Sequence, residues 1–158
     1  KPDESFPAQL SKALAAKGRA VDVTNAGVSG DTTAAGLERF DWAIPPGTEA
    51  VILELGANDA LRGQSPAEAK ANLDTLITKL KERNIAVLLA GMIAPKNWGA
   101  DYARNFDAMY QELAEKHDVL LYPFFLEGIA LDKTLNLDDG MHPNSKGVAK
   151  IVENIMPK

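Results

Sequence analysis

The segment Asp138-Asp139-Gly140-Met141-His142-Pro143-Asn144 sets two carboxylates within four residues of a histidine. A carboxylate beside an imidazole fixes its tautomer and stabilises the imidazolium that forms when the ring takes a proton. Either Asp138 or Asp139 can therefore orient His142 as a general base. A plainer role also fits, a histidine that satisfies hydrogen bonds at a helix start, because one Asp-x-x-His is a weak motif. The other histidine, His117, closes an amphipathic segment, where the helix dipole accounts for it. A metal centre needs more ligands than 2 histidines and no cysteine supply, and no cofactor is called for. The lack of cysteine also excludes disulfides and thiolate catalysis.

Two further stretches offer hydrogen-bond donors. Gly56-Ala57-Asn58-Asp59 follows an apolar run and is read as a turn, with the Asn58 amide free to face a cleft. Asn25-Ala26-Gly27-Val28-Ser29-Gly30-Asp31 is a glycine-rich turn in which Gly30, bare of a side chain, can present its backbone N–H. Two such donors aimed at one developing alkoxide are what acyl transfer requires.

These residues need elements to hold them. Apolar spacing predicts helices after Ser5 up to Gly18, from about 32 to 40, from the Ser65-Pro66-Ala67-Glu68 capping box to about Arg83, from about Tyr102 to Lys116, and from Asn144 or Ser145 onward. Strands are expected at 20–24, 50–55, 85–90 and 119–122. Strands alternating with helices imply parallel pairing through right-handed crossovers, an α/β three-layer sandwich in one domain over residues 1–158. The candidate loops then all follow strand C-terminal ends, the edge where open α/β sheets bind ligands.

Composition agrees with a globular domain: 46% apolar and 25% charged residues. A net charge of −5 with interspersed signs argues against nucleic acid and anionic membrane surfaces as partners. No apolar run approaches the ~18 residues of a membrane span.

Asn25 to Thr32 resembles the second sequence block of the SGNH (GDSL-type) hydrolases, Gly56 to Asp59 the third, and Asp139 to Pro143 the fifth. Leu61-Arg62-Gly63, the loop from Pro95 to Tyr102 and Tyr122-Pro123-Phe124-Phe125 are similar to the bacterial thioesterase, lysophospholipase and arylesterase branch. The resemblance implies a flavodoxin-like sheet of order 2-1-3-4-5 and hydrolysis of small acyl esters or thioesters. It assigns Gly30 and Asn58 to the oxyanion hole, His142 to the general base and Asp139 to its orientation, with Asp138 a neighbouring surface acid. Ile93, Trp98 and Tyr102 would help line the acyl or aryl pocket. A periplasmic or secreted location is also implied by the resemblance alone.

The family's first block, a Gly-Asp-Ser-Leu stretch that ends the first strand and carries the nucleophile, has no counterpart here. The serines are Ser5, Ser11, Ser29, Ser65 and Ser145. Ser29 is the one rival, since Gly27-Val28-Ser29-Gly30-Asp31 approximates a G-x-S-x-G elbow with aspartate in place of the last glycine. The expectation is that strand one and its serine are supplied by a segment outside this chain. A rival reading is a non-catalytic binding module or pseudoenzyme on the same fold, cradling an anion at the 26–31 loop.

Overall fold

The computed structural model describes residues 2–157. The chain divides into two compact units, residues 28–125 and the segment up to Gly27 together with that from Leu126 onward.

In the first of these, apolar runs form strands β1 (Ala50–Glu54), β2 (Ala86–Ala90) and β3 (Leu120–Tyr122), ordered β1-β2-β3. Both pairings are parallel: Ala50 lies opposite Ala86 through to Glu54 opposite Ala90, and Leu88 opposite Leu120 through to Ala90 opposite Tyr122. Parallel neighbours need long crossovers. Helices α5 (Pro66–Glu82) and α6 (Ala100–His117) provide them, while the short helices α2 (Thr33–Glu38) and α3 (Phe40–Ala43) precede β1. Helix α5 starts where the capping box predicts, with the Ser65 hydroxyl accepting from the Glu68 amide at 3.4 Å. Its Leu73, Leu76, Ile77 and Leu80 meet Phe106, Met109, Tyr110 and Leu113 of α6 over Leu53, Val87 and Leu89 of the sheet. Burial of each large side chain stabilises by about 1.5–3 kcal/mol.

A polar tie joins the same two helices. Asp74 accepts from Lys116 Nζ at 2.7 Å and pairs with His117 Nε2 at 2.5 Å. The Lys116 hydrogen bond is the main reason the Asp74 carboxyl lies below its ordinary range. His117, expected to answer to the helix dipole, thus has a side-chain partner as well.

The other unit packs α1 (Phe6–Ala16) against α7 (Ser145–Ile155). Leu10, Ile129, Val148, Ile151 and Val152 are buried there, and Gln9 Nε2 donates to the Ser145 carbonyl at 3.0 Å. No helix among the described residues is long and apolar enough to cross a membrane.

Two expectations need correction. Residues 20–24 do not form a strand: 19–28 carry neither helix nor ladder, and Val21 is 53% exposed. A β-rich segment gains its ladder only from an in-register neighbour, and among the described residues the sheet is β1–β3 alone. Three parallel strands in the order β1-β2-β3 do not test the expected 2-1-3-4-5 order. Second, Gly56-Ala57-Asn58-Asp59 is not just a turn. Gly56, at φ +113°, caps helix α4 (Ala57–Leu61), whose alanines and leucine are strong helix formers.

Candidate active site

Asp139 and His142 meet through a local loop. The Asp139 Oδ1 accepts the backbone N–H groups of Met141 at 2.9 Å and His142 at 3.0 Å, while Oδ2 lies 2.7 Å from His142 Nδ1. Gly140 between them takes φ +71°, which lets the chain curl back around the carboxylate. The two amide donors, and then the ring, hold the Asp139 carboxyl down to about 2. It is Asp139 and not Asp138 that pairs with the ring. The bond to Nδ1 leaves Nε2 for proton transfer, and the His142 side chain is 64% exposed and so accessible to a reacting partner.

That loop rests on asparagines that no short motif announces. Leu137 N–H donates to the His142 carbonyl at 2.7 Å and Asn144 N–H to that of Leu135 at 2.9 Å, closing an antiparallel bridge between Asn136 and Pro143. The Asn144 Oδ1 caps α7 by accepting from Lys146 and Gly147 at 2.9 and 3.1 Å. Its Nδ2 donates back to the carbonyls of Thr134 and Asn136 at 3.0 and 3.1 Å. Asn136 is buried and donates to the Ile129 and Asp132 carbonyls at 2.7 and 2.8 Å. Of these, the sequence offers Asn144 as a helix start and says nothing of Asn136.

The candidate donors lie in the other unit. Gly30 is the third residue of a turn closed by Asp31 N–H to the Val28 carbonyl at 3.3 Å, and its φ of +86° is what a type II turn requires there. Arg62 Nη2 donates to the Gly30 carbonyl at 2.9 Å, fixing the peptide that follows. Asn58 Nδ2 donates to the Asp31 carbonyl at 3.0 Å. An amide carries two N–H bonds, so one orients the group and the second can serve a substrate oxygen. The structure thus brings Asn58 of α4 and Arg62, the residue that follows the helix, onto the turn that holds Gly30. Asp31 turns its own carboxylate onto Arg39 Nε at 2.6 Å.

Asp59, the last residue of the stretch read as a turn, bridges these segments. It is buried and accepts from Thr33 N at 2.9 Å and Thr33 Oγ1 at 2.6 Å, while Asn72 Nδ2 donates to the same hydroxyl at 3.1 Å. Of the expected pocket residues, Ile93 is 53% and Trp98 45% exposed. Trp98 Nε1 donates to the Ala60 carbonyl at 2.8 Å and the Tyr102 hydroxyl to that of Gln64 at 2.7 Å.

The sequence profile of the GDSL-like Lipase/Acylhydrolase family matches residues 1–150. The chain belongs to this family. That membership makes it an ester hydrolase of the SGNH type. This acylhydrolase is 37% identical over 155 residues to Esterase TesA of Pseudomonas aeruginosa, covering 98% of the chain and 77% of TesA. It is 38% identical over 152 residues to the Arylesterase of Vibrio mimicus, covering 96% of the chain and 76% of that protein. The crystal structure of the psychrotrophic esterase EstA from Pseudoalteromonas sp., inhibited by monoethylphosphonate, superposes with a TM-score of 0.92. It is 29% identical, over 99% of this chain and 86% of EstA. The α/β fold with its parallel sheet is therefore that of SGNH hydrolases.

Proposed function

We propose that this acylhydrolase cleaves carboxylic esters or thioesters through a serine acyl-enzyme. The Asp139–His142 pair at 2.7 Å carries the reading, because it is a base already oriented by its acid. Serine Oγ attacks the acyl carbonyl while His142 Nε2 takes its proton. The N–H groups of Gly30, Asn58 and the nucleophile itself receive the negative charge that develops on the carbonyl oxygen. Collapse expels the alcohol or thiol, which regains the proton from His142. Water, deprotonated by the same nitrogen, attacks the acyl carbonyl; the acyl–Oγ bond breaks, the acid leaves and serine Oγ takes the proton back from His142. No step calls for a metal or a cofactor. Inhibition of EstA by a phosphonate supports such a scheme, since a tetrahedral phosphorus centre mimics the intermediate.

The nucleophile in this reading is the serine of a Gly-Asp-Ser-Leu-type segment, a stretch that these 158 residues do not contain. The placement of the serines present supports this. Ser5 and Ser65 stand at the N-caps of α1 and α5, Ser11 lies within α1 and Ser145 is the first residue of α7. Ser29 sits in the turn that presents Gly30. Short acyl esters, aryl esters, thioesters and lysophospholipids are the substrate classes, and Ile93 is the pocket residue whose side chain makes no competing polar contact. An extracytoplasmic location, periplasmic or secreted, accompanies this reading.

Hydrolysis of p-nitrophenyl butyrate by the full-length protein tests it. His142→Ala should lower kcat by on the order of 10⁴-fold with the circular dichroism spectrum unchanged. Activity retained within about tenfold contradicts the role of His142.

A further inference from the structure

Trp98, Tyr102, Phe106 and Tyr110 recur every four residues, the last three on α6. Spacing of four stacks side chains along one helix face. The rings form a continuous ladder, with centroids 6.3 Å apart from Trp98 to Tyr102, 6.2 Å from Tyr102 to Phe106 and 5.7 Å from Phe106 to Tyr110. A ladder of this kind is normally packing alone. Here three of its four rungs also carry a donor, and all three donors end on one short segment.

Tyr110 donates its hydroxyl to the Leu55 carbonyl at 2.9 Å, Trp98 its indole N–H to that of Ala60 at 2.8 Å, and Tyr102 its hydroxyl to that of Gln64 at 2.7 Å. These carbonyls lie just before, within and just after α4, the helix that bears Asn58. Five helical residues cannot hold their own conformation in water, since a helix this short does not offset the cost of nucleation. Backbone N–H groups of Arg62, Gln64 and Gly63 satisfy its Asn58, Asp59 and Ala60 carbonyls, and the ladder adds a side-chain donor within the helix, at Ala60, and one on either side of it, at Leu55 and Gln64.

A second observation points the same way. Glycines flank α4 at the two places where the backbone meets the ladder. A Cβ on Gly56 would collide with the Tyr110 hydroxyl, and one on Gly63 would fall 2.8 Å from the Trp98 indole ring. Both residues have positive φ, +113° and +63°. The helix is thus seated against the rings at both ends. Burial raises the hydroxyl pKa of Tyr102, and raises that of Tyr110 well above the ordinary tyrosine value, so both remain donors across the working range.

We infer that the Trp98–Tyr102–Tyr110 ladder is the positioning device for the Asn58 donor amide. Its members act on the reaction through α4, by holding the Asn58 Nδ2 against the Asp31 carbonyl, and not by touching the acyl group. The inference rests on the oxyanion role proposed for Asn58. It reassigns Trp98 and Tyr102 from pocket lining to catalytic geometry.

Tyr102→Phe keeps the ring stack and removes one hydroxyl, so it is the informative variant. On p-nitrophenyl butyrate and octanoate alike, kcat should fall about three- to tenfold with KM within about twofold, the scale of one lost hydrogen bond. In an Asn58→Ala background the same substitution should change kcat by less than about twofold, because the two residues act through one group. An unchanged kcat, a shift in KM or chain-length preference instead, or a loss that adds fully to that of Asn58→Ala overturns the inference. The side-chain amide signals of Asn58 in ¹⁵N-resolved spectra give a readout independent of turnover. Tyr102→Phe should shift or broaden them, and signals left in place also overturn it. Failure of the unmodified protein to hydrolyse any ester would sink the proposed function, while the amide signals still decide the ladder.

Discussion

Asp59 takes both donors of Thr33, the backbone N–H at 2.9 Å and the hydroxyl at 2.6 Å, with both residues out of contact with water. That one relationship fastens the segment following Gly30 to the helix bearing Asn58, so the two proposed oxyanion donors share a frame. Asp59→Ala leaves two buried donors without an acceptor and should destabilise by about 2–4 kcal/mol. Asp59→Asn retains one carbonyl oxygen and should cost about half as much. Urea unfolding measures both. A loss below about 0.5 kcal/mol for the alanine variant would show that the link is not needed.

The 2.7 Å bond between Asp139 and His142 Nδ1 separates Asp139 from its neighbour. Asp139→Asn keeps the shape and removes the charge that stabilises imidazolium, so kcat should fall by about 10³–10⁴-fold. Asp138→Asn should stay within about threefold of the unmodified enzyme, as expected of an exposed carboxylate. Equal losses for the two variants would contradict the assignment.

Acid titration offers a separate check on the same loop. The Asp139 carboxyl is lowered from 3.8 to about 2, first by the His142 amide, then by the Met141 amide and the ring. Its folded value lies below its unfolded one, so the contribution of these bonds is full above about pH 4 and is lost as pH falls towards about 2. The amide protons of Met141 and His142, followed by NMR, should titrate near the lower value. An inflection near 4 would mean that the carboxylate is not held as described.

Glycine substitutions distinguish steric from purely conformational need. Gly56 and Gly47 both have positive φ, +113° and +85°, yet only Gly56 has an atom in the way. Gly47→Ala should cost about 1 kcal/mol, the backbone term alone. Gly56→Ala must also displace the Tyr110 hydroxyl and should cost about 2–4 kcal/mol, with a fall in kcat through Asn58. Similar thermal shifts for the two variants would remove the claim that Tyr110 seats α4.

What the sequence makes legible follows the range of the forces involved. The Asp139–His142 pair is an i, i+3 contact in a turn, and the Ser65 cap of α5 is equally local, so both are readable from adjacent residues. The strands at 50–54 and 86–90 declare themselves by apolar runs that the core demands. Residues 20–24 carry the same β-rich signature but have no ladder, because pairing depends on an adjacent strand and none lies beside them among the described residues. Helix α4 is too short to show periodicity, and its glycine start reads as a turn. Trp98, Tyr102 and Tyr110 show their helical spacing openly, while the carbonyls they reach lie 38 to 55 residues away. Asn136 likewise looks like any loop asparagine until its two carbonyl partners are seen.

The most direct measurement is fluorophosphonate labelling of the full-length protein, with the adduct located by intact mass and peptide sequencing. The reaction scheme predicts one adduct, on a serine in a Gly-Asp-Ser-Leu-type segment, and none on Ser5, Ser11, Ser29, Ser65 or Ser145. The adduct should form far more slowly in His142→Ala. An adduct on Ser29 would contradict the assignment of the nucleophile. No adduct at all, with that segment present, would contradict the serine acyl-enzyme and favour a binding module on the same fold.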